Sequence, residues 1–442
     1  MRKRHVLALM VATAVVTAAA VLFVVNAGAA PRGSANGGSV ATLKLPRVPW
    51  EGGPAYYKRF KVAAERGWTD PGFFPIGVWY ESVLSEQDVA TDKAAGLNLY
   101  VELTDDSDLS LIRKHGMSAM TSKPLAGAGA ETVGWIIADE ADMFPRPGNA
   151  KWDGRLAGDG DPCIPAKGEG CGFTAMKTLK SKLPANDGRM YYANYGKGVG
   201  MWWSDEDNAT FVNDYTDVVS TDMYWYTDAG ICVEAKNILK FPESHCPKAA
   251  DYGWLLDKQR RLDATDGKLQ PIYAFVEVGW PFSEQNGSGV RTMEPEELKG
   301  AVMNSIIHEA RGILYFNHSF GGPCQSQHAL REPCYSKVRE AATQVNKQIQ
   351  QLAPVLNTQS YAFDFGTGVE TMLKGHDGSY YVFAMIERGD KPGSRSFTLP
   401  PELSHAAEVE VLFENRKLPI QHGRFTDSFK AETSYHVYKV TP

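Results

Sequence analysis

From Phe74 to Asn317, short apolar runs alternate with segments that carry apolar positions at helical spacing. Eight such runs can be delimited: Phe74–Trp79, Leu97–Leu103, Met117–Thr121, Val133–Ala138, Arg189–Asn194, Asp217–Tyr224, Ile272–Glu277 and Gly312–Asn317. Between them, Ser85–Ala95 reads as a helix stopped by Gly96, and Glu294–Ala310 as a helix with Pro295 in its first turn. Strands that alternate with helices build parallel sheets, and eight of them predict a closed α/β barrel of the triosephosphate isomerase type, (β/α)8. In such barrels the loops after the strands carry the chemistry, so polar residues at strand C-termini become the candidates.

The pattern changes after a polar helix predicted over Ser336–Leu352, which is expected to end at Pro354. Tyr361–Phe365, Val369–Lys374, Tyr380–Ile386, Glu408–Phe413 and Tyr435–Val440 alternate or run apolar, with the turn His376-Asp-Gly between two of them. These strands predict a small all-β sandwich packed on the barrel flank in a structural role. The expected organisation is a signal or anchor over 1–30, a linker over 31–44, the barrel over 45–354 and the sandwich over 355–442.

The N-terminus supplies the compartment. Met1–His5 is basic, Val6–Val25 is almost wholly apolar, and Ala27-Gly-Ala follows as a small-residue cleavage site. The stretch is also about as long as a membrane span, so an uncleaved anchor is the alternative to a removed signal peptide. Either way the remainder is expected in an oxidising, extracytoplasmic space. The six cysteines fall into three close pairs, Cys163 with Cys171, Cys232 with Cys246 and Cys324 with Cys334. Six cysteines allow fifteen connectivities, and three local disulfides are the simplest. No pair has zinc-knuckle spacing, and there is no HxH or HExxH pattern, so no metal or cofactor is expected. Gly158-Asp-Gly-Asp-Pro lacks the later acidic ligands of a calcium loop. A net charge of −6 leaves no basic footprint for nucleic acid. There is likewise no Gly-x-Ser-x-Gly elbow, phosphate loop or dinucleotide fingerprint. Asn208, Asn286 and Asn317 stand in glycosylation sequons.

Two glutamates end two of the predicted strands, Glu140 after Val133-Gly-Trp-Ile-Ile-Ala-Asp and Glu277 after Ile272-Tyr-Ala-Phe-Val. Glycoside hydrolysis needs two carboxyl groups facing each other across the scissile bond, and rigid strand ends supply that geometry. On these residues the chain resembles the clan A, or 4/7, superfamily of retaining glycoside hydrolases, from about residue 45 to 442. Those barrels place an acid/base glutamate after strand four and a nucleophile after strand seven, often with a C-terminal β-sandwich. The resemblance implies a double displacement, with Glu140 as acid/base and Glu277 as nucleophile, on a carbohydrate substrate. A retaining pair stands about 5 to 5.5 Å apart, against roughly 6.5 to 9.5 Å for an inverting one. One departure is Asp139, where the clan carries asparagine. An aspartate accepts but does not donate a hydrogen bond, and its charge favours protonated Glu140.

Supporting residues follow the same map. Tyr224 and Tyr226, after the sixth run, match a tyrosine that bonds the nucleophile in the clan, with Asp222 a further candidate. Asn194 and Asn317-His318 are placed to hold sugar hydroxyls, whereas Glu81 and Glu102 suit burial for structural reasons. Trp79-Tyr80, Trp202-Trp203, Trp225 and Trp280 follow predicted strands and offer faces on which sugar rings stack. The long segments 144–172 and 227–251 are expected to form the rim, stapled by the cysteine pairs. The alternative is a noncatalytic carbohydrate-binding or cell-envelope protein that keeps the barrel as a scaffold.

Overall fold

The computed structural model describes residues 43–143, 146–155, 162–164, 168–242, 245–282 and 291–442. Eight parallel strands close into a barrel: β1 Ile76–Glu81, β2 Leu99–Leu103, β3 Ser118–Thr121, β4 Thr132–Asp139, β5 Met190–Tyr195, β6 Val218–Thr221, β7 Ile272–Glu277 and β8 Gly312–Phe316, with β1 pairing β8. Each lies on one of the eight predicted runs. The sixth is shorter than its run, because the chain turns at Trp225–Thr227 after Asp222.

Side chains on alternate positions fill the barrel, among them Trp79, Val101, Met120, Tyr192, Val218, Phe275 and Phe316. The opposite positions meet the surrounding helices in a second, larger cluster. The helix predicted at Ser85 forms over Glu86–Ala94, where Ser85 accepts from Asp88 N and Asp88 reaches back to Ser85 N. Such caps are worth about 1 kcal/mol. Pro295 opens the helix Pro295–Ile307. The helix from Ser336 continues through Pro354 to Leu356, because a proline in the last turn removes only a single main-chain bond. Segment 227–251 is less irregular than expected, since it holds the helix Ile231–Asn237 and the start of the helix Ala249–Asp263.

Beyond the barrel, β9 Val369–His376, β10 Ser379–Ile386, β12 Glu408–Val411, β13 Arg416–Pro419 and β15 Tyr435–Val440 form an antiparallel sheet in the order β9-β10-β15-β12-β13. A separate pair, β11 Gly393–Thr398 with β14 Arg424–Phe429, closes over it. Phe397 and Phe425 stack at 4.7 Å in the shared core. Tyr361–Phe365 is not a strand; Tyr361 only bridges Arg47 and Leu373. Met372, Phe383, Met385 and Val437 pack into the barrel's outer cluster.

All three cysteine pairs are joined as disulfides. The leader and most of the linker, the Gly158 loop and Asn286 lie outside the described residues. Among the described residues no helix is long and apolar enough to cross a membrane. Asn208 and Asn317 are fully buried, so neither sequon is open to modification in the folded chain.

Candidate active site

Strand β4 ends irregularly. Its register against β5 shifts between Ile136 and Asp139, and Glu140 takes a left-handed backbone, φ 51°, while its N–H donates to Asn194 O at 2.8 Å. A left-handed non-glycine residue costs roughly 1–2 kcal/mol, and it aims this side chain away from the strand's regular alternation. Gly196 makes room for it: a Cβ there would stand 2.8 Å from Glu140 Oε1.

Three more carboxylates surround that group. Asp222 continues the interior-facing series Val218, Ser220 and lies within hydrogen-bonding reach of the Glu140 carboxyl. Asp142, in the turn Ala141–Met143, accepts from Gly196 N at 3.0 Å and from Val199 N at 2.6 Å. Asp139 accepts from Asn194 Nδ2 at 3.1 Å and is open to solvent, although protein surrounds it closely enough to push its pKa up to about 6. Burial also pushes Asp142 up to about 6. Asn194 spans the cluster, its Oδ1 accepting from Ser220 Oγ at 2.6 Å.

The proton on the Glu140–Asp222 pair has a preferred owner. Burial first, then the charges of Asp222, Asp139 and Asp142, drive Glu140 well above the usual carboxyl range. Asp222 is raised too, chiefly by burial, but Tyr224 Oη donates to its Oδ2 at 2.9 Å and Asn194 also favours its charged form. Its Oδ1 is buried with no donor among the described residues. A carboxylic O–H on Glu140 would supply that donor, which favours a shared proton on Glu140 over Asp222.

Glu277 stands apart from this cluster in its partners. It follows Tyr273 and Phe275 on the interior side of β7 and is 1 % exposed. One carboxylate oxygen accepts from Tyr226 N at 2.8 Å and the other from Tyr252 Oη. Burial raises its pKa, and these two donors pull it back, a correction that Glu140 lacks. Tyr226 therefore serves Glu277 through its main chain, and the hydroxyl that bonds Glu277 belongs to Tyr252 on the helix Ala249–Asp263.

The remaining candidates separate by exposure. Trp79 is buried in the barrel against Phe275, and Trp225 is buried beside Phe241 and Trp254. Neither presents a face to solvent. Trp280 is partly open, Trp202 is 38 % exposed and packs edge-on against Trp203, and Tyr80 contacts His318, which contacts the 38 % exposed Phe320. Asn317 is spent internally: Nδ2 donates to Glu81 and Oδ1 accepts from Leu330 N at 2.6 Å. Glu81 is fully buried with His328 at 2.5 Å and Arg331 at 3.2 Å, a structural network as expected for that residue. Glu102 has a left-handed backbone, φ 64°, and its charge bears on Asp139.

Asp142 and Tyr252 had no signal in the sequence. Asp142 is three residues past the end of β4, and Tyr252 lies on a helix obscured within a long polar stretch. Among the described residues, no group of His, Cys, Asp and Glu has the geometry to hold a metal.

Fold and site together define an eight-stranded α/β barrel with a carboxylate-lined mouth. The chain is similar in structure to an α-amylase from Geobacillus thermoleovorans solved with acarbose, at 9 % identity and TM-score 0.48, over 83 % of this chain and 98 % of that one. It is also similar to a GH30 endoxylanase from Clostridium papyrosolvens C71, at 10 % identity and TM-score 0.42, over 84 % and 97 %. No protein-family model and no curated protein matches the sequence.

Proposed function

We propose that this protein is an exported glycoside hydrolase in which Glu140 protonates the leaving oxygen and Glu277 attacks the anomeric carbon. The observation that carries this reading is the contrast in surroundings of two carboxyl groups at the ends of strands four and seven, one crowded by other carboxyls and one held by two hydrogen-bond donors. Glu140 sits among three carboxylates and retains its proton; Glu277 is held by two donors that favour its charge. General acid catalysis needs the first and covalent attack the second. Glu140 would then deprotonate water to release the glycosyl enzyme, with net retention. Three disulfides fit an oxidising compartment. A second reading gives the nucleophile's role to Asp222, favoured by its contact with Glu140 and by the enclosure of Glu277.

The test is a panel of polysaccharides and aryl glycosides, with product anomers determined, on wild type, Glu140→Gln, Glu277→Gln and Asp222→Asn. Retention, with azide rescuing Glu140→Gln as a β- or α-glycosyl azide, supports the acid/base role. In the further truncations Glu277→Ala and Asp222→Ala, azide trapping of the inverted glycosyl azide at Glu277 identifies it as nucleophile, and the same result at Asp222 moves the role there. Binding without turnover across the panel supports the scaffold reading.

A further inference from the structure

Glu432 belongs to the β-rich C-terminal part, in the turn between β14 and β15, yet its carboxylate reaches the barrel's catalytic end. Its Oε1 accepts from Tyr226 Oη at 2.6 Å, and its Oε2 from Ala249 N at 3.3 Å. One contact is on a residue that supports Glu277, the other at the start of the helix that carries its second support. Tyr226 gives Glu277 its main-chain N–H, and Ala249 begins the helix that carries Tyr252, whose hydroxyl donates to the other oxygen. The rings of Tyr226 and Tyr252 stack at 6.2 Å, so the two supports also touch each other.

The turn itself is rigidly placed. Ala431 N donates to Ser434 Oγ at 3.0 Å and Ser434 N to Ala431 O at 3.1 Å. Thr433 is seated on Gly300 of the helix Pro295–Ile307, where an added Cβ would come within 2.9 Å of the threonine Cβ. A neighbouring contact makes the same crossing: Arg388 Nε donates to Asp251 Oδ1 at 2.7 Å, three residues into the same helix region. Arg291 lies over the Tyr226 ring, 5.4 Å from its centre.

We propose that Glu432 is a positioning residue for Glu277, its carboxylate a clamp from the β-rich part that fixes the Tyr226 ring directly and anchors the first residue of the helix bearing Tyr252. This rests on the assignment of Glu277 above. It makes the C-terminal strands part of the catalytic apparatus, where the sequence suggested only a structural flank. Donors fixed against a carboxylate stabilise its charged form, so loosening them raises its pKa. Misplacement of a reacting group by a fraction of an ångström is also expressed in kcat more than in KM.

The test follows the Glu277 carboxyl by ¹³C NMR in glutamate-labelled protein, assigned by the resonance missing from Glu277→Gln, and compares wild type with Glu432→Ala and Tyr226→Phe. Tyr226→Phe removes only the O–H that Glu432 accepts and keeps the N–H. Both variants are expected to titrate Glu277 at higher pH than wild type. On an aryl glycoside that the wild type hydrolyses, kcat is expected to fall on the order of 10- to 100-fold with KM nearly unchanged. The acidic limb of the pH profile moves up in parallel, and Glu432→Gln, which retains one acceptor, falls between. A Glu277 titration unchanged in folded Glu432→Ala or Tyr226→Phe overturns the clamp. If Glu277→Gln keeps its activity while the titration still shifts, the clamp is real and the nucleophile assignment is what fails.

Discussion

Two clusters of buried carboxyl groups, one at each end of the barrel, are held in opposite ways. At the end where β8 begins, Glu309 is paired with Arg311 at 2.9 Å and Lys374 at 3.4 Å, and Arg311 pairs again with Glu51 at 3.0 Å. Burial acts against the Glu309 charge, but those cations overcome it and hold its pKa down to about 2. At the mouth, Glu140, Asp139, Asp142 and Asp222 crowd together, and among the described residues none of the four pairs with a lysine or arginine. The Glu309 charge is neutralised by its partners, whereas the four carboxyl groups at the mouth lie together without a cation beside them among the described residues. Crowding of carboxyl groups at the mouth is a cost to stability, of the kind that clusters at functional sites.

The sharpest way to break this comparison is Glu140→Gln. It is expected to lower kcat by about 10²–10⁴-fold on substrates whose leaving group needs protonation. Thermal stability should hold, since the amide is as neutral as the protonated carboxyl and can still donate to Asp222; a large drop in melting temperature with activity retained would give Glu140 a structural role instead. At the other end, Lys374→Met removes one partner of a buried cluster and is expected to cost about 3 kcal/mol in denaturant unfolding, with kcat of the folded protein unchanged.

Acid–base titration separates the two ends by sign. Glu309 has a depressed folded pKa, so its contribution is present above the ordinary carboxyl range and is lost as pH falls toward 2. Asp139 and Asp142, raised to about 6, work the other way. Their contribution is full below the unfolded pKa near 4 and is lost as pH rises through 6. Unfolding free energy measured from pH 2 to 8 should therefore climb on the acid side and sag between about 4 and 7. Asp139→Asn should flatten the sag and leave the climb intact. The smallest effect expected is at Asp222→Asn: with that charge gone Glu140 loses its proton sooner, so the basic limb of the activity profile moves to lower pH. A limb that stays in place would separate Asp222 from the acid.

Much of the barrel could be read directly because its strands are buried on both faces and appear as apolar runs between helix signals, as in Ile272–Glu277, whose limits match the strand. The C-terminal sheets were read less completely. β11, β13 and β14 carry alternating exposed residues with few apolar ones, as in Arg424-Phe-Thr-Asp-Ser-Phe, and such edges look like loops. At the site, Glu140 and Glu277 announced themselves by ending apolar runs. Trp79, Trp225 and Asn317 looked equally well placed, but side-chain direction decides whether a residue near a strand end meets solvent or core. The left-handed turn at Tyr80 and the tight turn after Asp222 set that direction, and neither carries a glycine or proline to mark it. Tyr252 and Glu432 reach Glu277 from distant segments, a relation that local pattern does not encode.

The arm from Leu43 to Val48 docks on the C-terminal part: Leu43 enters its core, Ala362 N donates to Pro46 O at 2.9 Å, Val48 N to Ser360 O at 3.0 Å, and Arg47 to Gln359 O, 312 residues away. Synthesis from the N-terminus delivers this arm first and its seat only after the whole barrel has been made. Closure of the barrel itself joins β1 to β8, so the arm waits on a structure that is still open. Long-range pairing of this kind slows folding, so docking of the arm is expected after the barrel closes, and a nascent chain arrested before Ser360 leaves Leu43 without its seat.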